Sequence, residues 1–246
     1  MNGFEKHRIA HLSPSSLNLF ASEPAMWVME RLLGHRSPVG CAAHRGTASE
    51  TGTASGLVNP KMDPAECQAI GLAEFDRLAA LSSDPKKDKE RDAVPGIIKS
   101  ALAELRQYGV PSGLQGKVIH EFPDLPPVLG FWDFQWTDSA ITVDLKSQIR
   151  LSSDISPAHA RQVALYVHNT NMEARVCYAT PTKVGVYRLE EPAAHVNALL
   201  NVAHRLGRFL AVSNDPAELA GIVCPNYESF LWSPQARAHG RAVYGF

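Results

Sequence analysis

The sequence lacks any apolar run long enough to cross a bilayer, which takes about 20 residues. Its start, Met1-Asn2-Gly3-Phe4-Glu5-Lys6-His7, has no signal-peptide core, so a cytoplasmic protein without membrane attachment is expected. Cysteine is scarce: the four (Cys41, Cys67, Cys177, Cys224) stand far apart, with no pair at zinc-ligand spacing. They read as plain reduced thiols. Net charge is nearly absent too, at −1, which argues against a protein that coats nucleic acid non-specifically. It leaves room for a local basic groove, because phosphate contacts come from a patch rather than from the average. There is no internal repeat and no low-complexity tract.

What is present is an ordinary globular composition, 45% apolar and 20% charged over 246 residues, enough for one large domain or two small ones. Ser13-Pro14 opens a helix that Pro24 breaks or kinks. Residues 42–57 form a helix rich in Gly46, Gly52, Gly56 and alanine. Such a helix is poor in propensity, each glycine costing about 1 kcal/mol against alanine, and it makes sense where another backbone or a ligand must come close. Asp63-Pro64 starts a helix to about Leu81. The run Asp84 to Asp92 reads as a solvated connector, followed by a helix over 94–108. Strands are expected at 117–122, 129–136 and 141–148, a helix at 157–168, strands at 174–179 and 184–189, and helices at 192–211 and 216–222. The tail from Cys224 to Phe246 carries Trp232, Arg237 and Arg241 and is assigned no element. This order predicts an α/β fold, a mixed central β-sheet flanked by helices. It is read as one domain, 1–246, with a helical part over 12–109, a sheet core over 117–190 and a second helical part over 191–246.

The most informative stretch is Gly130-Phe131-Trp132-Asp133, followed by Asp144-Leu145-Lys146. With 137–140 as a hairpin turn, paired residues sum to 277 and Asp133 lies opposite Asp144, Cβ atoms about 5 Å apart. Lys146 projects from the same face as Asp144, with Gln135 and Thr142. The other face carries Trp132, Phe134 and Trp136 against Leu145, Val143 and Ile141, the alternation of a half-buried strand pair. Two facing aspartates raise each other's pKa unless something positive lies between them, and a divalent metal is the simplest remedy. The bland alternative is a surface ion pair between Lys146 and either aspartate, and the hairpin alone does not choose.

Two carboxylates with a lysine suit metal-assisted phosphodiester hydrolysis. Magnesium takes oxygen ligands at about 2.0–2.1 Å, and the Leu145 carbonyl offers one more. Lys146 then positions the attacking water or stabilises the transition state. A second match to the short pattern, Asp84-Pro85-Lys86, lies in the charged connector and is given no function. Glu50, one turn beyond Gly46, is placed to approach the sheet, although an exposed helix glutamate reads the same. Gln162 and Tyr166 share one helical face, with His159 a turn earlier; they can hold a phosphate or stack on a base, or form a plain polar edge. Glu121 reads better as a surface residue than as a further carboxylate of the site. His7 and His11 are spaced as a zinc pair, but they lie in a frayed terminus without a third ligand.

Taken in order, these pieces resemble the PD-(D/E)xK nuclease superfamily, in particular its RecB-like branch of phage recombination and CRISPR-associated exonucleases. The resemblance rests on the serine-capped helix from Ser13 to Phe20, Gly46 with Glu50, Gly130 with Asp133, Asp144 with Lys146, and Gln162 with Tyr166. It covers about Leu12 to Leu189. It implies a restriction-endonuclease-like core in which Glu50, Asp133 and Asp144, with Leu145, bind Mg2+ or Mn2+. By the same resemblance Lys146 is catalytic, and Gln162 and Tyr166 support the site and the DNA.

There are departures. Many members have histidine where this chain has Glu50, and an all-carboxylate set favours the harder magnesium or manganese. Several bind an iron–sulfur cluster through one early and three late cysteines; here the early position reads Ser22-Glu23-Pro24 and the tail offers only Cys224, so no cluster is expected. No Gly-rich phosphate loop is present, so any helicase motor is a separate protein. The expectation is a metal-dependent deoxyribonuclease, an exonuclease of recombination or repair, with DNA as partner and a recombination or annealing protein as a candidate second one. Arg45, Arg150 and Arg161 flank the motif positions and are candidate phosphate contacts. The rivals are a catalytically silent DNA- or partner-binding module and a structure-specific endonuclease.

Overall fold

A computed structural model describes residues 2–36, 38–229 and 231–246. The elements run α1 (Gly3–Lys6), α2 (Pro14–Ser22), α3 (Pro24–Arg31), α4 (Cys41–Val58), α5 (Pro64–Leu78), α6 (Lys87–Leu105) and a 3-10 turn (Arg106–Tyr108). They continue with β1 (Gly113–His120), β2 (Val128–Trp136), β3 (Ile141–Ser147), α7 (Pro157–Tyr166), β4 (Glu173–Ala179), β5 (Val184–Arg188), α8 (Pro192–Ala211), α9 (Pro216–Ala220) and α10 (Pro234–Tyr244). The fold is α/β with a five-stranded mixed sheet. No helix among the described residues is long and apolar enough to cross a membrane. The chain divides into two compact units, one of Met1–Pro38, Val118–Gly130 and Ala193–Phe246, the other of Val39–Lys117 and Phe131–Pro192.

In the first unit, Ser13 caps α2 by accepting from the Ser16 N–H, and Pro14 takes the first helical position, where its missing N–H is not needed. Leu12 is extended, giving its N–H to the Pro127 carbonyl and receiving that of Leu129. Met26 and Met29 of α3 pack with Trp232 and Ala236, and the Trp232 indole donates to Glu23 at 3.2 Å. Helix α10 falls in the tail to which the sequence reading assigned no element. Its signals are all local: Ser233 at the cap, Pro234 next, and Gly245 in the left-handed conformation at the end. His7, expected in a frayed terminus, instead follows the Asn2-capped α1, with Nε2 2.9 Å from the Ser213 carbonyl.

The sheet order is β1-β2-β3-β4-β5, and the second unit holds β3, β4, β5 and the larger parts of β1 and β2. Strand β3 pairs antiparallel with β2 and parallel with β4, while β4 and β5 are antiparallel. A parallel neighbour needs a long crossover, and α7 supplies it between β3 and β4. Phe134, Trp136, Ile141, Val143 and Leu145 share one core with Phe75 of α5 and Val94, Ile97, Ile98 and Leu102 of α6. Gly52 and Gly56 of α4 face these helices: a Cβ on Gly52 would stand 2.6 Å from the Cys67 carbonyl. They exist for helix–helix approach rather than for a ligand.

Two expectations change. Helix α6 begins at Lys87, inside the charged run expected to be a solvated connector, because Asp84 organises that turn by accepting from the backbone N–H groups of Lys86 and Cys41. Strand β1 begins four residues before the expected Lys117, counting from Gly113, and its glycines, Gly113 and Gly116, lie under the Trp132 ring. A Cβ on Gly116 would fall inside that indole. Gly116→Ala should therefore lower stability by about 1–3 kcal/mol, the cost of overpacking, measured by urea denaturation; an unchanged midpoint would contradict this packing.

Candidate active site

The β2–β3 turn closes through Thr137 to Ala140, which sets Phe134 opposite Val143, Gln135 opposite Thr142 and Trp136 opposite Ile141. Those pairs sum to 277, the register the alternation requires; the paired stretch ends at Phe134 and Val143, one residue short of the expected Asp133–Asp144 pair. The expected half-burial is too mild. Thr142 and Asp144 are buried as well, Asp144 to 1% exposure, because β3 has a strand on either side and α7 packs on β4 beside it. Central strands with parallel neighbours are covered on both faces.

Each acid turns to a donor of its own. Asp133 Oδ2 accepts the backbone N–H of Leu145 at 2.6 Å, so Leu145 enters the site by its amide while its side chain stays in the core. Asp144 Oδ2 is fully buried and faces Lys146 Nζ at 2.8 Å, without a donor of good hydrogen-bond geometry. Glu50 Oε1 receives the Gln115 amide at 2.7 Å. Gly46 is not what admits Glu50: a Cβ there would make only an ordinary contact with Ser147.

Electrostatics tie the four charged groups together. Burial, then the charges of Asp144 and Glu50, push Asp133 well above the ordinary aspartate value. Burial also raises Asp144, with Lys146 pulling the other way. Glu50 is raised by burial and by Asp144, against the hydrogen bond from Gln115. For Lys146 burial alone would favour the neutral amine, but Asp144, Asp133 and Glu50 outweigh it and raise its pKa. The lysine is thus held as ammonium among acids that crowd one another.

Helix α7 closes this side. Gln162 donates its amide to the Tyr166 hydroxyl, and burial, with Asp144 nearby, keeps that phenol protonated far beyond its ordinary value. His159 Nδ1 lies 2.7 Å from the hydroxyl of Tyr178, whose residue pairs with Lys146 on β4. Burial and the Lys146 charge lower His159 to about 4, so it is a neutral imidazole at pH 7.

The arginines separate. Arg45, expected on phosphate, is 7% exposed and turned inward. It forms a buried ion pair with Glu90 and donates to the Ser147 carbonyl at 3.1 Å. Arg161 is half-buried on α7 and Arg150 exposed after β3. Glu90, Gln115 and Tyr178 escaped the sequence reading. Glu90 sat in a run that looked solvated, and Gln115 lay before the expected start of the first strand.

As they stand, no three acidic, histidine or cysteine side chains among the described residues are close enough to hold one ion. A cation would have to draw Asp133, Asp144 and Glu50 together. The donor set suits it: all ligands are hard oxygens, as magnesium and manganese prefer, and Asp144 offers a buried oxygen with an incomplete set of donors.

Two outcomes follow. Because the folded-state pKa of Asp133 is raised, the folded protein holds that proton more tightly than the unfolded chain. Stability in EDTA should fall as pH rises above about 3.9, the free aspartate value, through the raised one. Asp133→Asn, which keeps an acceptor for Leu145, should raise the melting temperature at pH 7 and lose this advantage near pH 4; a pH-independent difference would contradict the crowding. Glu90→Ala should cost about 3–5 kcal/mol by stranding a buried guanidinium, while Arg45→Met with Glu90→Leu recovers most of it. Chemical denaturation of the three proteins measures both.

No family model matches this chain, and no curated protein matches it.

Proposed function

We propose that this protein is a metal-dependent nuclease that hydrolyses phosphodiester bonds in DNA, on the pattern of the RecB-like branch of the PD-(D/E)xK superfamily. The observation that carries the reading is the closeness of Asp133 to the buried Asp144, near enough that the Asp144 charge raises Asp133, with the Lys146 ammonium 2.8 Å from Asp144. Like charges this close, one of them removed from water and with only one ammonium beside them, cost stability that an ordinary structural site has no reason to bear.

Asp133, Asp144 and Glu50, with the Leu145 carbonyl, would hold the ion. Bound magnesium or manganese would supply Lewis-acid polarisation of the phosphate and a more acidic water. Lys146, kept charged by the acids around it, donates to the attacking water or to a phosphate oxygen as negative charge grows there. Tyr166 remains a hydrogen-bond donor at any working pH, and Gln162 fixes the orientation of its hydroxyl. His159, neutral, adds no second positive charge beside Lys146. Arg150, exposed after β3, and Arg161 are the arginines proposed to meet the DNA backbone, and a recombination or annealing protein is the partner that such an exonuclease would serve.

A second reading, a binding module on the same fold, draws on the fact that each acid already has an internal partner. One assay separates them. End-labelled single- and double-stranded DNA with magnesium should be degraded from the ends while closed circular DNA stays intact. Cutting of the circle would indicate an endonuclease, and binding without cleavage the silent module. Lys146→Ala should reduce cleavage by at least about 10²-fold, the scale for removing one charge-stabilising donor, with DNA binding retained. Full activity in that variant would refute the assignment.

A further inference from the structure

Gln115 has a backbone φ of +48°, the left-handed region that residues with a Cβ enter only when their surroundings impose it. It lies inside β1 with glycines at 113 and 116, yet the strained position itself carries a long side chain. The turn breaks the alternation of the strand, leaving Leu114 and Gln115 exposed in succession. An exposed side chain gains nothing from core packing there. What it does make is a hydrogen bond from Nε2 to Glu50 Oε1 at 2.7 Å, reaching α4 across 65 residues of sequence. Glycine or asparagine would adopt this backbone more readily, but neither reaches Glu50.

We propose that Gln115 is a positioning residue of the cation site: its amide occupies one oxygen of Glu50, fixes the rotation of the carboxylate and leaves the second oxygen as a ligand. The inference rests on the reading of Glu50, Asp133 and Asp144 as cation ligands. Carboxylate ligands are commonly oriented by such a hydrogen bond, and loss of the partner weakens metal affinity about 10–100-fold. The strain in β1 is then the cost of aiming a side chain that a relaxed strand would direct elsewhere.

The test is calorimetric titration of Mn2+ into the full chain, as wild type, Gln115→Gly and Gln115→Asn. Both replacements suit the left-handed backbone, and asparagine keeps the amide but is one methylene too short. Melting in EDTA is followed alongside. The expected result is Mn2+ affinity about tenfold or more weaker in both variants, with a melting temperature equal to or above that of wild type. Wild-type affinity in both would overturn the role of Gln115, as would a loss of folded stability that accounts for the weaker binding. If wild type itself binds no Mn2+, the ligand reading of the three acids fails, and this inference with it; binding that is merely indifferent to Gln115 leaves that reading standing.

Discussion

The second unit is organised around a repulsion. Asp133 and Asp144 come close beside a strand pair whose register a four-residue turn fixes, and β3 lies between β2 and β4, where Asp144 is shut off from water. In water two such carboxylates would interact weakly, whereas at low effective dielectric the same separation matters several-fold more. The neighbouring contacts can be read as responses: the Leu145 N–H on Asp133, the Lys146 ammonium on Asp144, and the rise of all three acids toward their protonated forms. A structure without a use for such a site would be more stable with leucine or asparagine at either position. The proposed nuclease activity gives the repulsion a purpose, since a divalent cation converts it into affinity.

A second buried charge pair holds the frame. Arg45 of α4 joins Glu90 of α6 and clasps Ser147, the residue after Lys146. This contact ties the end of β3 to two helices that also share the sheet's apolar core. The division of labour is physical: Arg45 is spent on structure, and in the proposed nuclease the phosphate contact expected of it passes to cations nearer the surface, such as the exposed Arg150.

Much of this was legible in the sequence because period-two alternation is a strong signal. The pattern from Trp132 to Leu145 fixes which residues face the core, and a slip by one would have turned Phe134 and Val143 outward. Helix starts were legible for a similar reason, as Ser13-Pro14, Asp63-Pro64 and Ser156-Pro157 each join a capping side chain to a residue with no N–H to satisfy. What escaped depends on contacts distant in sequence. Glu90 looked solvated because its partner is 45 residues away. The start of β1 was placed too late, at Lys117, because the ring that covers its glycines belongs to β2. The depth of burial of Asp144 was underestimated, since alternation within one hairpin does not reveal the strand and the helix that cover its other side. Gln115 left no local mark at all, its left-handed backbone being one that sequence would assign to glycine.

The most direct measurement is anomalous diffraction from crystals of the protein soaked in manganese. The account predicts a single strong peak at about 2.0–2.3 Å from oxygens of Asp133, Asp144 and Glu50, absent when Asp144 is replaced by asparagine. Crystals that show no such peak at saturating manganese, or place it away from the β2–β3 hairpin, would contradict the claim that these acids are assembled to hold a cation.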